Sequence, residues 1–91
     1  MKQSLKRKQV TFTLKHDPGK EVFIAGSFNN WDQKHNKLVE TNQAGIYSIT
    51  IMLTTGRHEY KFVVDDVWYL DPKNPESVAS DIGSLNSVVV V

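Results

Sequence analysis

The sequence predicts an all-β domain, an immunoglobulin-like β-sandwich of about seven strands. Short apolar stretches alternate with polar residues at the two-residue period of strands, and turn-forming residues separate these stretches at short intervals. No stretch shows the periodicity of a helix, and this combination is typical of small sandwiches. The 91 residues make one domain. We divide it into a basic N-terminal tail at residues 1–8 and a β-sandwich at residues 9–91.

Each predicted strand depends on its own local pattern. Apolar residues alternate with threonines over residues 9–15, and a β-branched run alternates over residues 46–53. In chain order, the predicted strands are 9–15, 21–25, 37–41, 46–53, the two runs of 56–70 that flank Asp65-Asp66, and 85–91. Residues 71–83 hold two prolines and are too long for a simple turn, so we expect a functional loop there.

Composition excludes several classes of function. The net charge is +1 and the chain has no cysteine, which argues against a nucleic-acid-binding surface, disulfides and cysteine-ligated zinc. The basic cluster of the tail consists of Lys2, Lys6, Arg7 and Lys8, without interleaved aromatic residues, so we interpret it as solvated. No long apolar run and no signal-peptide pattern is present. We therefore expect a cytoplasmic protein with neither a membrane nor a nucleic acid as partner.

The sequence gives no pattern of a catalytic site. The three histidines fall on separate turns or strand ends, and neither a phosphate-binding glycine loop nor a nucleophile elbow is present. Asp65, Asp66 and Asp71 invite comparison with a glycosidase carboxylate pair. Aspartate is a common turn former, however, and adjacent residues at a hairpin tip are solvated. We predict a protein that is not an enzyme and that holds no cofactor and no metal.

Residues 56–70 predict a β-hairpin with two unlike faces. If Asp65-Asp66 is a two-residue turn, Val63 lies opposite Trp68 and Lys61 lies opposite Leu70. Opposed residues share a face, and side chains alternate along each strand. The face expected in the core carries Tyr60, Phe62, Val64, Val67 and Tyr69. The other face carries Lys61, Val63, Trp68 and Leu70, which places a cation beside a tryptophan that the core does not require.

Both tryptophans are candidate binding residues. Trp31 lies in a polar loop, and Trp68 lies on the non-core face of the hairpin. An exposed indole can stack on the apolar C–H face of a pyranose ring, while nearby amide and ammonium groups bond its hydroxyls. Tryptophan is also enriched at protein–protein hot spots, so a protein interface is the competing interpretation.

Several motifs together resemble a known family. They are Gly26-Ser27-Phe28-Asn29-Asn30-Trp31, His58-Glu59-Tyr60-Lys61-Phe62-Val63-Val64-Asp65, Trp68 with Asp71-Pro72, and Gly83-Ser84-Leu85-Asn86. In this order they resemble the family 48 carbohydrate-binding module, and most of all the glycogen-binding domain of the AMP-activated protein kinase β subunit. The resemblance runs from about residue 9 to residue 91. It implies an immunoglobulin-like sandwich that binds α-1,4-linked glucans such as glycogen, starch or maltooligosaccharides.

The resemblance also implies roles for individual residues. Trp31 and Trp68 correspond to the two stacking platforms of the family. Lys61 corresponds to a donor to sugar hydroxyls, and Asn86 to a residue that bonds a vicinal pair of hydroxyls. The hairpin pattern agrees with these roles, because it places Lys61 and Trp68 on one face independently of any family.

Three positions depart from the family pattern. Ile82 takes the place of an apolar residue that reaches over or through the bound sugar, but it is β-branched and stiffer than leucine. Ser84 takes the place of a small hydroxyl residue and lacks the methyl group of threonine. Asp65-Asp66 stands where the kinase-type pattern has Asp-Gly. Aspartate tolerates positive φ at some cost relative to glycine. Whether this cost strains or reshapes the turn is left open by the sequence; a shift that displaced Trp68 would weaken sugar binding.

The sequence therefore predicts a non-catalytic module that binds α-glucans, with a catalytic or kinase domain as a possible partner. The alternative is a structural or protein-interaction β-sandwich whose tryptophan face packs on a partner domain or subunit. Solvent exposure of Trp31 and Trp68 discriminates between the two. A shared open face favours sugar binding, and burial or separation favours a protein interface.

Overall fold

The computed structural model describes residues 6–80 and 82–91. These residues contain nine strands: β1 (Arg7–Lys15), β2 (Val22–Gly26), β3 (Asn36–Lys37), β4 (Val39–Glu40), β5 (Ile46–Thr54), β6 (Arg57–Val64), β7 (Val67–Tyr69), β8 (Ser77–Ala79) and β9 (Leu85–Val90). The described part of the chain has no helix, and accordingly none that could span a membrane.

The strands form two antiparallel sheets. One sheet has three strands in the order β1-β5-β4. The other has six strands in the order β3-β2-β6-β9-β8, and β7 pairs with β6 beyond this path. Strand β6 is long enough to pair with β9 along its first half and with β7 along its second half. The predicted all-β sandwich is confirmed.

The core lies between the two sheets and is built from inward-facing positions of the alternating strands. Its buried side chains are Phe12, Leu14, Val22, Ile24, Leu38, Tyr47, Leu53, Tyr60, Phe62 and Val64. Burial of each large apolar side chain stabilises the fold by about 1.5–3 kcal/mol. Because consecutive strand residues point to opposite faces, every second residue of the six-stranded sheet is free to build an outer surface.

The strand count differs from the expected value of about seven. The predicted strand 37–41 is divided into β3 and β4, and strand β8 was missed within the 71–83 connection. Strand β8 has three residues and pairs with β9. Three residues are too few to establish an alternation pattern, and such a strand is specified by its partner rather than by its own sequence.

The N-terminal strand begins at Arg7, which pairs with Thr54, and Lys8 pairs with Leu53. Arg7 and Lys8 therefore belong to a strand, although we expected them in the tail. Residues 1–5 of the expected tail lie outside the described residues. The division of the chain at residue 9 stays a prediction.

The predicted hairpin register is confirmed over three pairs, but the expected burial of Val67 and Tyr69 is wrong. Val64 pairs with Val67, and Val63 pairs with Trp68. Val67 and Tyr69, which we expected in the core, are 52% and 39% exposed. Among the described strands, β7 pairs only with β6, and the Tyr69 ring contacts His16 at a centroid distance of 5.5 Å instead of entering the core.

Candidate functional site

An open pocket of about 610 Å³ lies on the outer face of the six-stranded sheet. It is lined by Trp31, Glu59, Lys61, Trp68, Ala79, Ser80, Ile82, Ser84 and Asn86. All six residues that the resemblance singled out are in this set. The structure thus brings together, from separate parts of the sequence, every predicted site residue.

Strands β6 and β7 supply Lys61 and Trp68 to the pocket. Val63 follows Lys61 by two residues and pairs with Trp68 across the hairpin, so all three side chains share the outer face. Val63 is only 2% exposed because its cross-strand neighbours on this face are Trp68 and Phe23. Trp68 is itself 39% exposed, which leaves its indole open to a ligand.

The loop after β2 supplies Trp31, and the Asn29 side chain holds this loop in shape. Asn29 Oδ1 accepts a hydrogen bond from the Gly26 amide at 2.9 Å. Asn29 Nδ2 donates to the Ile24 carbonyl at 3.0 Å and to Asn36 Oδ1 at 2.7 Å. The Trp31 amide donates to the Gly26 carbonyl at 2.9 Å. One amide side chain therefore fixes the turn that presents Trp31.

The same loop carries backbone constraints on both sides of Asn29. Asn30 and Trp31 have φ of 57° and 58°, a left-handed conformation that is uncommon for tryptophan. At Gly26 a Cβ atom would lie 2.5 Å from the Glu59 carbonyl oxygen and 2.7 Å from the Phe28 ring. Only glycine fits this position, where the loop leaves the sheet.

The hairpin tip adopts the geometry that a two-residue turn needs. Asp65 and Asp66 have φ of 45° and 69°, and positive φ at both central residues is the requirement of a type I′ turn. Asp65 Oδ1 accepts from the Glu21 amide at 3.1 Å, and the Asp65 amide donates to the Glu21 carbonyl at 3.0 Å. Lys20 Nζ lies 3.5 Å from Asp65 Oδ2, and Lys34 Nζ lies 3.4 Å from Asp66 Oδ1. The two hydrogen bonds between Asp65 and Glu21 hold the turn although neither Asp65 nor Asp66 is glycine.

The loop between β8 and β9 closes another side of the pocket. The Ser80 amide donates to the Ser84 carbonyl at 2.6 Å, and the two hydroxyls lie 3.0 Å apart. Gly83 has φ of 86° and donates from its amide to the Ser80 carbonyl at 3.0 Å. Ile82 lies in this loop with 89% of its surface exposed. Its side chain is thus an apolar projection at the pocket rim.

Asn86 and Glu59 form a polar pair in the pocket. Asn86 is 7% exposed and donates from Nδ2 to Glu59 Oε1 at 3.1 Å. The other carboxylate oxygen of Glu59 lies 4.0 Å from Arg57 Nη1. The Glu59 backbone is also fixed, because Ser27 exchanges hydrogen bonds with its amide and its carbonyl. A carboxylate acceptor therefore lies beside the Lys61 donor in the same pocket.

Comparison with known proteins shows the family of the chain. A family model described as the glycogen recognition site of AMP-activated protein kinase matches residues 8–91. The chain belongs to this family. It is 41% identical over 73 residues to the pig 5′-AMP-activated protein kinase subunit beta-1, covering 80% of this chain and 56% of the relative. The human subunit beta-2 is 42% identical over 73 residues, covering 80% of this chain and 25% of the relative.

The resemblance to the family 48 carbohydrate-binding module is thereby confirmed. The chain is a non-catalytic, glycan-binding module. It spans about half of the pig relative and a quarter of the human one, because the matched region is 56% and 25% of those proteins.

A second polar network anchors the module behind the hairpin. The Tyr60 hydroxyl donates to Asp71 Oδ2 at 2.6 Å and accepts from Asn74 Nδ2 at 3.1 Å. The Asp71 amide donates to Ser87 Oγ at 2.9 Å, and Asn74 Nδ2 also donates to the Val88 carbonyl at 2.7 Å. Burial of the phenol, followed by its hydrogen bond to Asp71, raises the pKa of Tyr60 well above its usual value. Asp71 therefore has a structural role.

Sequence reasoning missed three residues of the pocket. Glu59 precedes Lys61 by two residues on the same strand. The alternation that predicted Lys61 on the outer face therefore also predicts Glu59 on that face. Ala79 and Ser80 lie at the end of the missed strand β8, where the sequence offers no comparable signal. Within residues 6–80 and 82–91, no group of three or more histidine, aspartate or glutamate side chains is arranged to hold a metal ion.

Proposed function

We propose that this module binds α-1,4-linked glucans, such as glycogen, starch and maltooligosaccharides, in the pocket that holds both tryptophans. The observation that carries the proposal is the convergence of Trp31, Trp68, Lys61 and Asn86 on one open pocket. Convergence of aromatic faces with a few polar groups is the pattern of a ligand site.

The proposed contacts follow from the chemistry of each side chain. Trp31 and Trp68 stack on the apolar faces of successive glucose rings. Lys61 donates to ring hydroxyls, and Asn86 bonds a vicinal pair. Ile82 extends over the sugar from the rim, and Ser84 adds a hydroxyl next to it. The site is shallow, so we expect a dissociation constant between micromolar and millimolar, or about −8 to −4 kcal/mol.

The exposure of the tryptophans supports sugar binding over a protein interface. Trp68 is 39% exposed and Trp31 is half-buried, and both line the same open pocket. The named relatives are subunits of a kinase, and we propose that the module connects a kinase assembly to a glucan in the cytoplasm. A branched polymer would then be held by avidity across many weak contacts.

The proposal is tested by titrating the chain with maltoheptaose and with β-cyclodextrin, using isothermal calorimetry together with intrinsic tryptophan fluorescence. Cellohexaose serves as the ligand control, because it carries the same glucose units in β linkage. We expect saturable binding of the α-linked sugars alone. Trp68→Ala should weaken it at least about tenfold, or 1.4 kcal/mol.

Tyr69→Ala is the matched control variant. Tyr69 is adjacent to Trp68 in the chain and is equally exposed, at 39%, but it does not line the pocket. The Tyr69→Ala variant should therefore bind maltoheptaose as the unchanged protein does. Absence of heat and fluorescence change up to millimolar α-linked sugar would refute the proposal. Binding that survives Trp68→Ala would refute the assignment of the site.

A further inference from the structure

The pocket contains a carboxylate whose role is not explained by stacking or by the lysine. Glu59 Oε1 accepts from Asn86 Nδ2 at 3.1 Å. An ionised carboxylate has only acceptors, so the amide end of Asn86 that faces it must be the NH₂ group. The orientation of an asparagine amide is set by its hydrogen-bond partners. Glu59 therefore determines which end of Asn86 remains for a ligand.

The groups of Asn86 that remain are its carbonyl oxygen and the second N–H of Nδ2. Among the described residues Asn86 Oδ1 has no hydrogen-bond partner, and it is not one of the fully buried unpaired polar atoms. Asn86 lines the pocket with only 7% of its surface exposed. Asn86 thus offers one fixed acceptor at Oδ1 and one fixed donor at its second N–H, a pattern that fits two neighbouring hydroxyls of which one donates and the other accepts.

Glu59 is itself held in place by its surroundings. Its backbone amide donates to Ser27 Oγ at 3.1 Å, and its carbonyl accepts from the Ser27 amide at 2.9 Å. Arg57 approaches the second carboxylate oxygen at 4.0 Å, and the Glu59 side chain is 32% exposed. Ser27 begins the loop that carries Trp31, so Glu59 connects that loop to Asn86.

We propose that Glu59 is a positioning residue of the sugar site, which locks the Asn86 amide so that Oδ1 accepts a hydrogen bond from a glucan hydroxyl. This inference deepens the proposed function and rests on it. Glu59 acts through Asn86, and the specificity it confers is for a hydroxyl donor at that point of the ligand.

The test is a double-mutant cycle on this pair with maltoheptaose as the probe, measured by calorimetry on the 91-residue chain. Asn86→Asp alone sets two carboxylates against each other and should weaken binding about tenfold or more. In Glu59→Gln/Asn86→Asp, the glutamine Nε2 donates to the carboxylate introduced at position 86, whose other oxygen again offers an acceptor to the sugar. Binding by this double variant should recover at least about threefold over Asn86→Asp, while the donor lost from position 86 keeps it weaker than in the unchanged protein.

Two single variants complete the cycle. Glu59→Gln retains an acceptor but permits both amide orientations, so binding should weaken only about two- to threefold. Glu59→Ala removes the lock and should weaken binding about five- to tenfold. Thermal unfolding of every variant reports whether the fold is retained, and Tyr69→Ala is the control for a change outside the pocket.

The outcomes separate this inference from the proposed function. If the unchanged protein does not bind maltoheptaose, the proposed function fails and the inference fails with it. If the unchanged protein binds, and the double variant is no better than Asn86→Asp, then orienting the acceptor at position 86 from position 59 does not contribute to binding and the positioning role of Glu59 is wrong. Unchanged affinity in Glu59→Ala would overturn it equally.

Discussion

Trp31 and Trp68 line one pocket but are held there by different means. Trp68 lies in a strand, and its direction follows from a regular register with β6. Trp31 lies in a loop with positive φ, and its direction follows from one part-buried amide and one glycine. A strand fixes the direction of a side chain through many equivalent backbone hydrogen bonds. The Trp31 loop depends instead on a few contacts that nothing else can replace. Changes in the loop should therefore have larger effects than changes in the hairpin.

The largest effect is expected from Gly26→Ala. The new Cβ would lie 2.5 Å from the Glu59 carbonyl oxygen, a backbone atom that cannot move aside as a flexible side chain would. We expect a loss of about 3 kcal/mol in the free energy of unfolding, measured in urea, since overpacking of this kind costs about 1–3 kcal/mol or more.

Gly19→Ala is the control for this change. Gly19 has φ of 75°, and a Cβ atom added there would meet no heavy atom within 4 Å, so this variant should lose about 1 kcal/mol through backbone strain alone. Equal losses in the two variants would show that the contact with Glu59 does not constrain the loop.

The second effect concerns Asn29→Ala. This change removes three hydrogen bonds, to the Gly26 amide, the Ile24 carbonyl and Asn36 Oδ1. We expect a loss of about 2 kcal/mol in stability, because part-buried partners are left without a bond. Maltoheptaose affinity should also fall several-fold although Trp31 is still present, and calorimetry measures this change.

Asn30→Gly is the matched control in the same loop. Asn30 is exposed and has φ of 57°, which glycine adopts without steric cost. Its stability and its maltoheptaose affinity should stay close to those of the unchanged protein. A loss as large as that of Asn29→Ala would mean that the loop is held by its backbone conformation and not by the Asn29 amide.

The same contrast explains how far sequence reasoning reached. Alternation predicted the hairpin register and the shared face of Lys61 and Trp68, because strand geometry is periodic. Trp31, Ile82 and Ser84 lie in loops, where no periodicity connects them to the site. Trp31 was a candidate because it is a tryptophan in a polar loop, but only the family resemblance placed it with Trp68 and brought in Ile82 and Ser84. The exposure of Val67 and Tyr69 was missed because alternation predicts the side of the sheet on which a residue lies, but not whether the second sheet covers that side.

The third effect concerns the network behind the hairpin. Tyr60→Phe removes the hydroxyl that donates to Asp71 at 2.6 Å and leaves the Asn74 amide with one partner fewer. We expect a loss of about 1–2 kcal/mol at neutral pH in urea unfolding. The hairpin register should survive, so maltoheptaose affinity should change less than in Asn29→Ala.

The dependence of this third effect on pH has a definite sign. The pKa of Tyr60 is raised in the folded state above its usual value of 10.0. The stability that the Tyr60 hydroxyl contributes is therefore fully present at pH values below this usual pKa. It is lost as the pH rises from about 10 toward the folded-state pKa. The stability difference between the unchanged protein and Tyr60→Phe should therefore be constant from about pH 6 to 9 and shrink above about pH 10. A difference that grows with alkaline pH would contradict the assigned shift.

The smallest effect is expected at the hairpin tip, and it has the opposite direction. Asp66 has φ of 69°, which glycine adopts at lower cost, and its contact with Lys34 is between side chains that are 77% and 62% exposed. An ion pair so exposed contributes little, so Asp66→Gly should gain about 0.5 kcal/mol. Asp65→Gly, measured in the same urea series, should show no gain, because Asp65 also accepts from the Glu21 amide at 3.1 Å.

Asp66→Gly also tests whether strain at the tip reaches the site. The pairing of Val63 with Trp68 is already the one that a two-residue turn produces. The strain is therefore contained within the turn, and maltoheptaose affinity should stay within about twofold of the unchanged protein. An increase of about tenfold in the maltoheptaose affinity of Asp66→Gly would mean that Asp66 displaces Trp68. The strand register would then fix the Trp68 side chain less firmly than the comparison with the Trp31 loop implies.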